Sequence, residues 1–152
     1  MARVNLITGG AGTDTIALRG VSDSPYASTS VSAPAWSGSG PWTGTWDAVT
    51  DFTPGADKID LSALNASLSG GGLTRLTWST QPAAANPDTA VGVANAGYAH
   101  LVWYGMDAGV EYVYADTTGD GKADIKLQLL GGVSLGAGDF LGVNAAPVST
   151  AV

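Results

Sequence analysis

Gly9-Gly10-Ala11-Gly12-Thr13-Asp14-Thr15-Ile16-Ala17 decides how the rest of this chain is read. The nine residues match G-G-x-G-x-D-x-U-x, where U is a large apolar residue, the calcium-binding nonapeptide of parallel β-rolls. Its first six residues make a tight turn in which glycine reaches positive φ and turns backbone carbonyls inward. Asp14 adds a carboxylate, a hard oxygen ligand suited to Ca²⁺. Thr15-Ile16-Ala17 then reads as a short strand with Ile16 pointing into the roll. Gly9, Gly10, Gly12 and Asp14 are therefore the first candidate metal-site residues.

The register is weaker on either side. Asn5 and Asp23 stand nine residues from Asp14, and Ile7 stands nine before Ile16. Arg3 and Val21, however, occupy places where a glycine belongs. About three repeats are needed to bury a solenoid core, so one intact repeat cannot stack on itself. Either the chain is the end of a longer array in a larger protein, or the motif caps a different fold; the first is favoured.

Composition bounds both readings. A chain of 152 residues with 45% apolar residues can bury one core. Glycine fills 22 positions, which argues against a helical bundle, because glycine costs a helix interior about 1 kcal/mol. The net charge is −7, and six Lys and Arg cannot neutralise many phosphates, so no nucleic-acid partner is expected. No apolar run approaches the ~18 residues of a membrane span. There is no cysteine, which excludes disulfides, zinc-thiolate sites and thiol nucleophiles. Residues 1–5 lead into a glycine-rich stretch and do not read as a cleaved secretion signal. Glu111 is the only glutamate among thirteen acids, and aspartate favours turns and calcium loops.

The expected organisation is a terminal β-roll repeat over 1–19, then a Trp-rich Ser/Gly/Pro loop over 20–46. A β-rich cap of the same domain follows over 47–141, with a tail over 142–152 that would hold part of an export signal. Strands are expected at Leu73–Trp78, Tyr98–Tyr104, Val110–Ala115 and Asp124–Leu130, each rich in β-formers and bounded by turn residues. Residues 81–97 read as loop, and Leu61–Leu64 as one helical turn capped by Asp60 or Ser62.

Several strings follow in order: Asp14-Thr15-Ile16, Val21-Ser22-Asp23-Ser24, Asp51-Phe52-Thr53-Pro54-Gly55-Ala56-Asp57-Lys58-Ile59-Asp60-Leu61-Ser62-Ala63-Leu64, Ala115 to Asp124, and Leu135-Gly136-Ala137-Gly138-Asp139-Phe140-Leu141. Together they resemble the C-terminal domain of serralysin-type RTX proteins, and are similar also to the R-modules of alginate epimerases. The resemblance spans roughly residues 5–141, with a Trp-rich insertion at about 30–46. It implies an all-β fold: the end of a calcium-binding parallel β-roll followed by a β-sandwich-like cap. It implies a protein exported by type I secretion machinery, secreted and folded outside the cell on Ca²⁺. The tail runs past Asp139-Phe140-Leu141, where the family's chains often stop, and the catalytic part of a serralysin is not in this sequence.

A second candidate calcium loop is EF-hand-like. Asp116, Thr118 and Asp120 take its positions 1, 3 and 5, Gly121 the sharp turn, Lys122 the carbonyl position and Asp124 position 9. Thr118 replaces an acid or amide, and Leu127 stands where a bidentate Glu belongs. A plain β-hairpin turn between Val110–Ala115 and Asp124–Leu130 is the competing reading. Asp47, Asp51, Asp57 and Asp60 form another acidic group. The resemblance makes Asp51 a partner of the last roll turn, while Asp57 and Asp60 orient Lys58 or cap the Ser62 turn.

Trp36, Trp42 and Trp46 either anchor a long loop by packing, which is favoured, or stack on sugar rings. Trp78, Trp103 and Tyr104 read as core. His100 is the only histidine, and neither HExxH nor G-x-S-x-G occurs, so catalysis within this chain is not expected. The leading expectation is a non-catalytic Ca²⁺-binding domain serving secretion and folding of an upstream passenger. The alternative is an extracellular carbohydrate- or cell-surface-binding module that takes polysaccharide on the Trp36/Trp42/Trp46 loop. A third, compatible with the first, is the non-catalytic end of a secreted enzyme such as a metalloprotease or polysaccharide-modifying enzyme.

Overall fold

A computed structural model describes residues 5–26, 46–67, 76–79, 100–107, 110–119, 123–131 and 133–144. The described chain is mostly β. Its strands are β1 (Leu6–Ile7), β2 (Thr15–Ala17), β3 (Ala48–Val49), β4 (Lys58–Asp60), β5 (Thr77–Trp78), β6 (Leu101–Asp107), β7 (Val110–Ala115), β8 (Ile125–Leu129) and β9 (Phe140–Leu141). One short helix, α1 (Ser62–Ser67), follows β4. The strands form a six-stranded sheet, β1-β3-β8-β7-β6-β5, and a three-stranded sheet, β2-β4-β9.

Three successive strand pairs alternate between the two sheets: β1 then β2, β3 then β4, β8 then β9. We call each pair, with the turn joining it, a rung. Rungs pair in parallel through both sheets: Ile7 with Val49 and Val49 with Leu129 in one, Ile16 with Ile59 and Ile59 with Phe140 in the other. Val49, Leu129, Ile16, Ile59 and Phe140 are all buried in one cluster between the sheets. Strands of two or three residues have little stability alone, so this apolar column and the turns must hold them. Ile16 thus points inward as its position in the nonapeptide predicts.

The rungs do not follow the nine-residue register. First- and second-rung turns meet across 41 to 43 residues, and the second and third across 80 or more. Asp23, one nonapeptide step from Asp14, belongs to no rung. It closes a 3-10 turn over Val21–Asp23, its carboxylate accepting the amides of Arg19 and Gly20. The cap expected over 47–141 is built onto the same two sheets among the described residues. Its first strands, β3 and β4, pair directly with β1 and β2, and β5 to β8 continue the six-stranded sheet.

That continuation is antiparallel at β6-β7-β8, with six residue pairs between β6 and β7 and five between β7 and β8. β7 has the bounds expected for it, and β8 and β6 overlap their expected runs. Every residue of β8 is buried. It lies where the parallel and antiparallel parts meet, so both of its faces are covered. After β9 the chain passes over the start of α1, where a Cβ at Gly142 would lie 2.4 Å from Ser62 Cα. Gly142 has φ +76, a left-handed conformation that glycine tolerates. Asn144 then bridges to Thr77, covering β5.

Candidate cation site at the glycine turn

The first-rung turn runs from Thr8 to Asp14. Gly10 and Gly12 have φ of +96 and +127, which side chains other than glycine rarely adopt. Gly9 is needed for space: a Cβ there would stand 2.7 Å from Asp14 Oδ2. Glycine turns the chain tightly around the aspartate, as the motif requires.

The second rung supplies carboxylates to this turn. Asp51 Oδ1 accepts the Gly9 amide at 2.9 Å, and Asp51 Oδ2 accepts the Gly10 amide at 2.8 Å. Asp47 accepts the Asn5 amide at 2.7 Å as well as its side-chain NH₂. Asp57 Oδ1 accepts the Asp14 amide at 2.9 Å, while its Oδ2 accepts Thr53 from its own turn at 2.8 Å. Asp139 repeats this one rung on. Its Oδ1 takes the Gly55 amide at 2.7 Å and its Oδ2 takes Gly136 from its own turn at 2.8 Å. Each of these two carboxylates ties the preceding turn with one oxygen and its own turn with the other.

Asp14 ends its turn as Asp57 and Asp139 end theirs, but it departs from the pattern. Its Oδ2 is buried and has no hydrogen-bond partner among the described residues. Thr53, the own-turn donor to Asp57, lies four residues before it; the residue four before Asp14 is Gly10, whose amide Asp51 has taken. A buried carboxylate oxygen without a donor is costly. A cation beside Asp14 would remove that cost. The site would have to complete its shell with backbone oxygens, because no group of three acidic or histidine side chains among the described residues is placed to hold a metal.

The neighbouring carboxylates differ in electrostatics. The Gly10 and Gly9 amides hold the Asp51 carboxyl below the usual carboxylate range. The Ser62 hydroxyl and amide, helped by Arg19, do the same for Asp60. Burial pushes Asp47 upward, against the lowering effect of its bonds from Asn5, and the Asp23 charge adds to the rise. Asp60 caps the α1 turn as expected. Asp57 neither caps it nor orients Lys58, whose ammonium donates instead to the Gly138 carbonyl.

In the second candidate loop, Asp120 and Lys122 lie outside the described residues. Asp116 Oδ1 accepts the Gly119 amide at 2.6 Å and the Thr118 amide at 3.1 Å. Asp124 Oδ2 accepts the amide and hydroxyl of Thr117, both at 2.8 Å, and the Thr118 amide at 3.0 Å. Two carboxylates thus converge on one amide and close the connection between the antiparallel strands β7 and β8. Leu127, at the position of the missing glutamate, is fully buried in β8.

Trp36 and Trp42 also lie outside the described residues. Trp46 is 2% exposed and packs against Tyr26 and Tyr112, which is the packing role and leaves no face for a sugar ring. Trp78 and Trp103 are buried, stacked on Tyr104 and Tyr114 respectively. Asp47, Asp57 and Asp139 were missing from the sequence-derived site. Their signal was a glycine shortly before an aspartate that opens an apolar strand, as in Gly12-Thr13-Asp14, Gly55-Ala56-Asp57 and Gly138-Asp139. In comparisons with protein-family models and with curated proteins, nothing matches this chain.

Proposed function

We propose that this chain is a non-catalytic, calcium-binding domain of the kind that ends RTX proteins. It would carry the last turns of a parallel β-roll and support type I secretion and calcium-triggered folding of an upstream passenger outside the cell. The observation that carries the reading is Asp14 Oδ2, buried and partnerless in a turn whose glycines close around it. Short parallel strands that alternate between two sheets across Gly-Asp turns support it further.

Bound Ca²⁺ supplies a divalent charge that takes six to eight oxygen ligands. Asp14 offers the free carboxylate oxygen, and Gly9, Gly10 and Gly12 let the turn approach it. Asp51 fixes the amide side of that turn, which leaves its carbonyls as the remaining donors. Asp116, Thr118 and Asp124, with Asp120 and Lys122, offer a second location. In a calcium-poor cytosol the aspartates repel one another and the glycine-rich turns are costly to order. Outside, an ion that binds only the folded state stabilises it by about 2.7 kcal/mol at a hundred times its Kd.

The test is a calcium titration of the chelated protein, followed by far-UV circular dichroism and tryptophan fluorescence, with magnesium as control. The expected result is a cooperative, calcium-selective gain of β structure. Asp14→Asn should raise the calcium midpoint roughly tenfold, a loss of about 1.4 kcal/mol. A protein equally folded and equally heat-stable in chelator and in calcium would overturn the reading.

A further inference from the structure

Lys126 lies in the middle of β8 with 2% of its surface exposed. Its ammonium nitrogen is 4.0 Å from the ring centre of Tyr112, 4.4 Å from Trp46, 4.8 Å from Tyr26 and 5.6 Å from Tyr114. Four rings within about 6 Å are the arrangement that recognises ammonium groups, because each face presents negative quadrupole density. The rings also brace one another. Trp46 meets Tyr112 edge-on at 83° and Tyr26 at 74°, and Tyr26 meets Tyr114 at 66°.

The walls come from separate parts of the chain. Tyr112 and Tyr114 are two apart on β7 and so share a face, with Lys126 directly opposite Tyr114 across the sheet. Tyr26 and Trp46 stand at either end of residues 27–45. Hydrogen bonds tie Tyr26 and Asp47, the neighbour of Trp46, to the same place. The Tyr26 amide donates to the Asp124 carbonyl. The Ser24 hydroxyl donates to the Lys126 carbonyl and accepts the Asp47 amide.

We propose that these four rings form a built-in ammonium site, filled by the chain's own Lys126, that clasps Tyr26 and Trp46 onto β8. The ligand class is a primary or methylated ammonium, and charge, not bulk alone, is what the box selects. The inference is independent of calcium at Asp14.

The test uses the full chain in calcium-replete buffer, with thermal unfolding and the near-UV circular dichroism of the aromatic rings as readouts. Lys126→Met keeps the stem and removes the charge; it should lower Tm by about 5 °C and change the near-UV signal. Lys126→Ala should fall further and recover part of its Tm in methylammonium chloride, but not in sodium chloride or methanol at equal concentration. A Lys126→Met protein as stable as the parent, with its near-UV spectrum intact, would overturn the proposal. So would recovery of Lys126→Ala by methanol to the same extent as by methylammonium. If Lys126→Ala does not fold, Lys126→Met decides alone.

Discussion

The parallel rungs and the antiparallel β6-β7-β8 meander share one sheet but are held together differently. In the meander, long strands carry five or six residue pairs each and bury stacked rings such as Trp103 on Tyr114. In the rungs the strands are two or three residues long at β1 to β4 and β9, and much of the cohesion sits in the turns. There, aspartates of one rung grip backbone amides of the rung before it. The difference teaches that one sheet can have a part governed by apolar burial beside a part governed by charge. The second should answer to acid more strongly than β6-β7 does.

The sharpest way to break this contrast is Asp57→Ala. It leaves the Asp14 and Thr53 amides without their acceptor, at a cost of roughly 2–4 kcal/mol in urea unfolding. Amide exchange should then rise across the rung turns while β6-β7 amides keep their protection. Equal loss of protection in both would mean that the two parts unfold as one unit.

A smaller effect is expected from pH. Asp51 and Asp60 are held below the usual carboxylate range. Their contribution is therefore complete above the unfolded value, about 4, and is lost as pH falls through their lower folded values. Asp47 is held above that range, so its effect has the opposite sign. It favours the folded state in acid, and that contribution fades as pH rises from the unfolded value through its higher folded one. Exchange at Gly9 and Gly10 should thus accelerate at acid pH beyond what β6-β7 shows. In Asp51→Asn that excess should vanish, and an unchanged acid response there would show that Asp51 does not control the turn.

The β character of the chain was legible in its residues. Val110–Ala115 has the bounds of β7, and Ile16 is buried as the nonapeptide requires. Gly10 and Gly12 were legible because their conformations are ones only glycine adopts easily, and Gly9 because a side chain there would collide with Asp14. What could not be read was which segments stack. A nine-residue step is a local signal, whereas the partner of Ile16 is Ile59 and the partner of Ile59 is Phe140. Nothing in a single sequence marks segments so far apart as equivalent, beyond a glycine near an aspartate. For the same reason Asp57 and Asp139 looked like ordinary turn residues. The box around Lys126 was equally hidden, because Tyr26, Trp46 and Tyr112 converge only once β8 lies beside β7.

The distances along the chain between paired rungs also set an order in time. β6 and β7 turn back within a few residues, and β7 and β8 are joined by residues 116–124. The second and third rungs meet across 80 or 84 residues. Closing a loop of that length costs about 2 kcal/mol more in chain entropy than closing one of about nine residues. Local pairings therefore form fast and distant ones slowly. We expect pulse-labelled exchange to protect β7 and β8 before Gly9 and Gly10; simultaneous protection would contradict this order. Rung one leaves the ribosome before the other two yet settles last, because its strands of two and three residues have no platform to lie on until β8 has been made.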